Sequence, residues 1–365
     1  MIFPMGRLAI ACGGTGGHLF PGLAVAEAVR RRGHEVRFLI SAKPVDRRAL
    51  AGAGESPNGV EIPAIGWTGL FGALAFLLRL VKAVRKAGEE LANFQADALL
   101  GMGGFVSAAS VAAARRAGLP YFLHESNAIP GRATRFLSAG AKRMFVGFEE
   151  CGRHLPGARV EVAGTPVRGR LGKISKKEAL KKLGLHPQRH LVAILGGSQG
   201  AKGINEAMLR GLPALKSLSS TIQILHLAGE AHAEKVRRGY EHSGFHAVVL
   251  GFCDEMDAVY AAADLVVSRS GAGTLAELAA CGVPAILIPF PAAVDDHQTA
   301  NAHAYADHGA AEIVAERNLV GTELGQRIAR LLGDSVRQEH MRRAARQNFT
   351  ADAAEKIAEE IAHVL

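Results

Sequence analysis

The sequence predicts an α/β protein of two nucleotide-fold (Rossmann-like) domains, each a parallel sheet flanked by helices, and three observations support that expectation. Short apolar runs alternate with amphipathic stretches along the whole chain, which is the pattern of parallel strands joined by crossover helices. The two halves also open alike: "LAIACGGTGGHLFPGLAVAEAV" from Leu8 and "LVAILGGSQGAKGINEAML" from Leu191 each read as strand, glycine turn, helix. Finally, 365 residues with 48% hydrophobic and 21% charged side chains favour two cores over one.

Taken in order, the apolar runs place first-half strands at 8–12, 36–40, 98–100, 121–124, 143–146 and 160–163. Second-half strands fall at 191–195, 222–227, 247–250, 265–268, 285–288 and 311–314. Between the halves, "GTPVRGRLGKISKKEALKKLG" carries Pro166 and two glycines into a lysine-rich, solvated helix, which reads as the domain break. The expected division is 1–165 and 166–350, with a closing helix at 351–365 as a candidate to pack back on the first domain.

A net charge of +9 favours an anionic partner: nucleic acid, a phosphorylated ligand or an anionic membrane surface. Aromatics make up only 5% and no recognisable module is present, so no nucleic-acid partner is expected. Cys12, Cys151, Cys253 and Cys281 are scattered without CxxC or zinc spacing, so neither a disulfide framework nor a metal knuckle is expected, and a reducing cytoplasm suits them. No basic stretch precedes an apolar core at the N-terminus, and the run 8–12 is too short for a signal sequence or a span, so no export is expected.

Three glycine turns stand where chemistry is expected. A glycine turn before a helix lets another group approach closely and aims free N–H groups and the positive helix end at an anion. Gly13, Gly14, Gly16 and Gly17 with Thr15 form the first, Gly196 to Gly200 with Ser198 the second, and "GMGGFVS" with Gly101, Gly103, Gly104 and Ser107 the third. Any one of them alone reads equally well as a tight connection; three together exceed what packing needs. Neither of the first two spells G-x-G-x-x-G in register, and no acidic residue ends the strand 36–40, which disfavours a dinucleotide oxidoreductase. No G-x-x-x-x-G-K-[ST] suggests nucleotide hydrolysis.

The stretch 268–302, "SRSGAGTLAELAACGVPAILIPFPAAVDDHQTANA", is the most specific. The turn Ser270 to Gly273 opens a helix carrying Glu277, whose carboxylate suits a ribose diol, and Asp295, Asp296, His297 and Gln298 form a polar loop suited to sugar hydroxyls. The two aspartates read equally well as helix caps.

"GGTGGHLFPGLAVAE", "GMGGFVS", "HESNAIPG", "GTPVR", "GGSQGAKGIN", "SRSGAGTLAEL" and "DDHQTANA", in that order over nearly the full length, resemble the MurG family of peptidoglycan N-acetylglucosaminyltransferases. The resemblance implies the GT-B architecture, two nucleotide-fold domains facing across a cleft. It implies inverting transfer of N-acetylglucosamine from UDP-N-acetylglucosamine to undecaprenyl-pyrophosphoryl-N-acetylmuramyl pentapeptide (lipid I), making lipid II at the cytoplasmic face of the membrane. The C-terminal domain would hold the donor, and the N-terminal domain the acceptor and membrane.

Residue by residue, the resemblance places Ser198 and the turn Ala272, Gly273 and Thr274 against the diphosphate and Glu277 on the ribose, with Leu275 and Ala276 also in the substrate-binding set. Cys253 stands where uracil meets the main chain, and Gln298, with Asp295 and His297, would read the sugar hydroxyls. Arg168 would add positive charge, and Thr15, Gly16, Gly17, His18 and Asn127 would reach the sugar and acceptor. Thr165 and Ser126 depart from the family's commoner residues, which leaves details of the hinge and acceptor loop open.

No D-x-D motif is placed for a diphosphate, so neither metal nor other cofactor is expected. His18, at a helix N-terminus where the dipole favours neutral imidazole, is the leading general base. A hydrogen bond to a carbonyl, or contact with the acceptor diphosphate, would account for it nearly as well. Glu125 is the second base candidate, or else an acceptor-orienting or salt-bridged residue.

"WTGLFGALAFLLRLVKAVRKA", residues 67–87, runs apolar from Leu70 to Leu78 and then carries Arg79, Lys82, Arg85 and Lys86. It suits a helix resting on an anionic membrane surface, although a crossover helix buried on one face shares much of that pattern. Three rival functions stand beside the main reading: a glycosyltransferase using another lipid acceptor, a UDP-N-acetylglucosamine epimerase, and a non-enzymatic nucleotide sensor.

Overall fold

The computed structural model describes residues 5–14, 16–55, 58–63, 72–197, 200–307 and 309–365. Among them, two wholly parallel sheets form. The first contains β1 (Arg7–Ala11), β2 (Glu35–Ser41), β3 (Gly59–Ile62), β4 (Ala98–Gly101), β5 (Tyr121–Glu125), β6 (Met144–Val146) and β7 (Val160–Val162). Its spatial order is β3-β2-β1-β4-β5-β6-β7. The second contains β8 (His190–Leu195), β9 (Ile222–Leu227), β10 (His246–Leu250), β11 (Leu265–Ser268), β12 (Ala285–Leu287) and β13 (Ala311–Ile313), ordered β10-β9-β8-β11-β12-β13. Both are doubly wound, as the alternation of apolar runs and amphipathic stretches requires.

Alternation along each strand divides the first core between two faces. Leu8 and Ile10 of β1 point into a cluster with Leu19, Val25 and Phe38, while Ala9 and Ala11 point into another with Ala83, Ala87 and Leu91. β3 is a strand that apolar-run reading passes over. Its sequence is GVEI, and of its four residues only Ile62 is buried, so the apolar signal is almost absent.

The chain divides into two compact units, residues 1–168 with 350–365, and residues 169–349. Arg168 belongs to the first. The closing helix, Ala353–Ala362, buries Ile357, Ala358 and Ile361 completely in the cluster that holds Leu8 and Phe38. Full burial of each isoleucine stabilises by about 1.5–3 kcal/mol. Glu355 pairs with Arg31 and Arg32, and Glu360 with Arg143 at 2.6 Å, so charge holds the same helix by its rim.

The helix Gly72–Phe94 turns Ala83, Ala87 and Leu91 to the core. Nearer its start, Leu77, Leu78 and Val81 are 53%, 63% and 57% exposed. Residues 64–71, including the first part of the expected apolar stretch, lie outside the described residues. No described helix is long and apolar enough to cross a membrane.

Candidate active site

In a doubly wound sheet the ligand crevice opens at the carboxyl ends of the two central strands where the order reverses. In the first unit those strands are β1 and β4, paired from Leu8 with Ala98 to Ala11 with Gly101. The turns that follow meet there: Met102 N donates to Ala11 O at 2.8 Å. The buried Ser107 hydroxyl lies 2.8 Å from Ala11 O and 2.7 Å from Gly103 O.

His18, third residue of the helix Gly16–Arg31, is seated on this junction. A Cβ on Gly103 would come to 3.0 Å from both its Cε1 and its Nδ1, and one on Gly104 to 3.3 Å from its Cδ2. Gly103 also has φ 95°, a conformation that side-chain-bearing residues avoid. The imidazole therefore rests, half buried, on main chain that glycine leaves bare.

The first glycine turn is less open than its composition suggests. Gly14 N donates to Asp46 Oδ2 at 2.7 Å, the Ser41 hydroxyl donates to the same oxygen, and Lys43 Nζ donates to Gly14 O at 2.9 Å. Asp46 is fully buried in the first turn of the helix Pro44–Gly52. One amide of the turn is thus held by an internal carboxylate. Gly16 and Gly17 open the His18 helix, and Thr15 lies outside the described residues.

Glu125 closes β5 with its carboxylate turned into its own loop. Oε1 accepts from Asn127 N at 3.1 Å and Asn127 Nδ2 at 2.8 Å; Oε2 accepts from Gly131 N and Thr134 Oγ1, each at 3.2 Å. Four donors occupy the acceptor positions that a base would need facing a substrate. Its neighbour His124 is fully buried with Nε2 3.0 Å from Gly164 O, which makes Nε2 the protonated nitrogen. Burial pushes the His124 imidazole below its ordinary range against the pull of the Gly164 carbonyl and Glu125, and His18 pushes the same way as burial. Arg168 sets its guanidinium 4.5 Å from the centroid of the Phe20 ring, on the His18 helix.

In the second unit the order reverses between β8 and β11. After β8, Gly196 N donates to Leu227 O at 3.0 Å. Gly200, at φ 75°, sits so close to the Ala228 carbonyl that a Cβ would fall 2.3 Å from its oxygen. Ser198 lies outside the described residues.

The turn after β11 enters the helix Ala272–Cys281. Ala272 and Leu275 are buried, and Leu275 N already donates to Gly271 O at 3.1 Å, whereas Gly273, Thr274, Ala276 and Glu277 are half buried. Glu277 Oε2 accepts from Tyr260 OH at 2.9 Å. Fully buried Ser270 donates to Gln298 O at 2.7 Å, and Asn301 Nδ2 donates to Ser270 O at 3.2 Å. Gln298 Oε1 accepts from Phe290 N at 3.0 Å, which orients the carboxamide and leaves its Nε2 arm as a donor on the opposite side.

Ahead of Gln298, Asp295 and Asp296 take φ 52° and 51°. Consecutive left-handed aspartates store backbone strain of the kind that gathers at binding loops. Asp296 Oδ1 accepts from Thr299 Oγ1 at 2.7 Å, and His297 Nδ1 lies 2.7 Å from Val294 O. Cys253 is half buried between β10 and the helix Met256–Ala262, and burial raises its thiol above the ordinary range, keeping it protonated.

Two residues that sequence reading did not single out brace these turns. Asp46 follows Pro44 in a helix opening that itself gives no hint of the glycine turn it reaches. Arg269, between β11 and Ser270, donates through Nη1 to Ile288 O at 3.1 Å and Pro289 O at 3.2 Å, pairs with Glu316, and lies 5.2 Å from the Phe290 centroid. Among the described residues, no group of three or more His, Cys, Asp and Glu gathers to hold a metal ion.

Residues 8–146 match the glycosyltransferase family 28 N-terminal domain, and residues 191–357 the glycosyltransferase family 28 C-terminal domain. A UDP-N-acetylglucosamine--N-acetylmuramyl-(pentapeptide) pyrophosphoryl-undecaprenol N-acetylglucosamine transferase of Halorhodospira halophila is 43% identical over 98% of each chain. A protein of the same name from Geobacter metallireducens is 38% identical over 97% of this chain and 98% of its own. Among solved structures, Acinetobacter baumannii MurG superposes with a TM-score of 0.76 at 30% identity, covering 98% of this chain and 99% of its own. A putative UDP-N-acetylglucosamine 2-epimerase from Listeria monocytogenes shares the fold with a TM-score of 0.73 over 98% of this chain and 96% of its own, but only 15% identity.

Proposed function

Because the chain belongs to the MurG family within glycosyltransferase family 28, we propose that it transfers N-acetylglucosamine from UDP-N-acetylglucosamine to lipid I, making lipid II. The observation that carries this reading is the bond from Ser270 Oγ to Gln298 O at 2.7 Å. It fastens the polar loop 295–298 to the turn that opens the Glu277 helix, so groups suited to a sugar stand beside groups suited to a nucleotide. A donor made of both needs that adjacency, and a nucleotide sensor does not.

In this reading Glu277 takes the ribose hydroxyls, Cys253 offers main chain to uracil, and Gln298 with Asp295 and His297 reads the sugar. Ser198 and the turn from Ala272 to Thr274 face the diphosphate, with Leu275 and Ala276 continuing the helix behind them. The N–H groups of Ala272, Gly273 and Thr274, in the first turn of their helix, meet the charge that collects as UDP departs, so little reorganisation accompanies the step. In the first unit His18 accepts the proton of the attacking acceptor hydroxyl while the bond from the sugar to UDP breaks with inversion. Thr15, Gly16, Gly17 and Asn127 contact the acceptor and Arg168 adds positive charge. Glu125, with its carboxylate committed to four internal donors, is a positioning residue for the 125–134 loop.

Because that acceptor is lipid-linked, we read the protein as peripheral, at the cytoplasmic face of the cell membrane. Leu77, Leu78 and Val81, exposed beside Arg79 and Lys82, support contact with an anionic surface. Arg85 and Lys86 pair along the helix with Glu89 and Glu90, at 2.8 and 2.6 Å, so they contribute less to that attraction.

Purified protein incubated with UDP-N-acetylglucosamine and a short-chain lipid I analogue should yield the disaccharide product. Donor consumption without any acceptor, and with no disaccharide, overturns the reading in favour of an epimerase.

A further inference from the structure

A line of buried polar groups lies directly beneath the second glycine turn. His226, the penultimate residue of β9, is fully buried, and Tyr240 and Asn205 are 6% and 3% exposed. His226 Nδ1 lies 2.9 Å from Tyr240 OH, and His226 Nε2 lies 3.0 Å from Asn205 Oδ1. Asn205 Nδ2 donates to Ala228 O at 3.0 Å.

The direction of every bond follows from the last one. Because Asn205 donates to a carbonyl through its nitrogen, its oxygen faces His226, so His226 Nε2 carries the proton. Nδ1 is then a bare acceptor, and Tyr240 fills it with its hydroxyl proton. Burial keeps the relay neutral: it pushes His226 down to about 3 and raises Tyr240 above its ordinary range.

The relay ends on a carbonyl against which Gly200 is packed. A Cβ on Gly200 would fall 2.3 Å from Ala228 O, and the preceding carbonyl, Leu227 O, accepts from Gly196 N at 3.0 Å. Asn205 itself belongs to the helix Lys202–Gly211 that the turn opens. Apolar side chains would fill this space equally well for stability; an ordered, one-way polar chain fixes the orientation of a helix and the height of a turn.

We propose that Tyr240, His226 and Asn205 form a positioning relay that sets Gly200 and the start of the following helix where the second glycine turn meets the donor diphosphate. The inference rests on the donor assignment above and adds three residues that touch no substrate. It makes the relay matter to phosphate and not to uridine.

The test measures dissociation constants of UDP and of uridine for the full-length protein, its Tyr240→Phe and Asn205→Asp variants, and Glu277→Ala as control. Losing a buried donor should weaken UDP about tenfold in each relay variant and leave uridine within about twofold, so the ratio between the two ligands shrinks. An unchanged ratio in both variants overturns the relay, including the case where both ligands weaken together because the fold has loosened. If Glu277→Ala leaves uridine binding unchanged, the donor assignment falls and takes the relay with it; if that control weakens uridine while the ratio holds, only the relay falls. Independently of any variant, nitrogen NMR of the intact protein should find His226 protonated at Nε2 alone from about pH 5 to about pH 8. A proton on Nδ1, or titration in that range, overturns the proposal.

Discussion

The imidazole of His18 lies against the main chain of Gly103, where an added Cβ would stand 3.0 Å from both Cε1 and Nδ1. The two residues come from turns 85 positions apart in sequence, joined because β1 and β4 are neighbours in the sheet. Gly103→Ala should therefore act on His18 as well as on the backbone, where φ 95° costs a side chain about 1–3 kcal/mol. The expected result is turnover down at least about tenfold, as a displaced base implies, with UDP affinity unchanged. Steady-state rates and nucleotide titration of the variant check this, and normal turnover would detach His18 from the role of base.

Glu125 and His18 were rival bases on sequence, and the structure gives them different surroundings. Glu125→Gln puts an amide NH2 where two donors now point, leaving buried donors unmatched at a cost of about 1–3 kcal/mol. A lower thermal midpoint and a raised KM for the acceptor are expected, with kcat changed little. A variant of normal stability that has lost only kcat would restore Glu125 as the base.

The sheets and their glycine turns were legible because strand periodicity and turn chemistry are local. Twelve of the strands in the two sheets coincide with apolar runs, whereas β3 carries Glu61 and buries only Ile62. What escaped the sequence is long-range and polar. Asp46 reaches Gly14 across 32 positions, Asn205 reaches His226 across 21, and nothing in either stretch announces the partner. His226 and Gln223 were passed over inside "IQILHL", where a predominantly apolar run hides buried polar residues by the company they keep. The contiguous glycine and polar motifs were therefore visible, and the braces beneath them were not.

Acid stability follows from the two buried histidines. His226 falls from 6.5 to about 3 in the fold, and burial lowers His124 as well. Below the ordinary value the unfolded chain binds protons that the folded chain refuses, so the contribution of His226 is complete above pH 6.5 and declines as pH falls toward about 3, and that of His124 declines in the same direction. Each histidine adds at most about 1.4 kcal/mol per pH unit within its window. Denaturant titrations should show the slope of stability against pH reduced by about one proton in His226→Gln between about pH 4 and about pH 6. Parallel slopes would mean that His226 titrates normally.

The exposed apolar residues of the helix Gly72–Phe94 give the membrane reading its own test. Had this helix served only as a crossover element, its apolar side chains would face the core, as Ala83, Ala87 and Leu91 do. Leu77, Leu78 and Val81 instead are 53–63% exposed, which is the observation the membrane reading rests on. Replacing all three with Ser should lower partitioning onto anionic vesicles by at least about tenfold, since each forfeits transfer free energy of order 1 kcal/mol or more. Replacing Arg79 and Lys82 with Gln should instead weaken the salt dependence of binding, because those charges act through the surface potential and not through area. Transfer to a water-soluble acceptor analogue should stay normal in both sets. Flotation unchanged by the serine substitutions would move the membrane contact away from this helix.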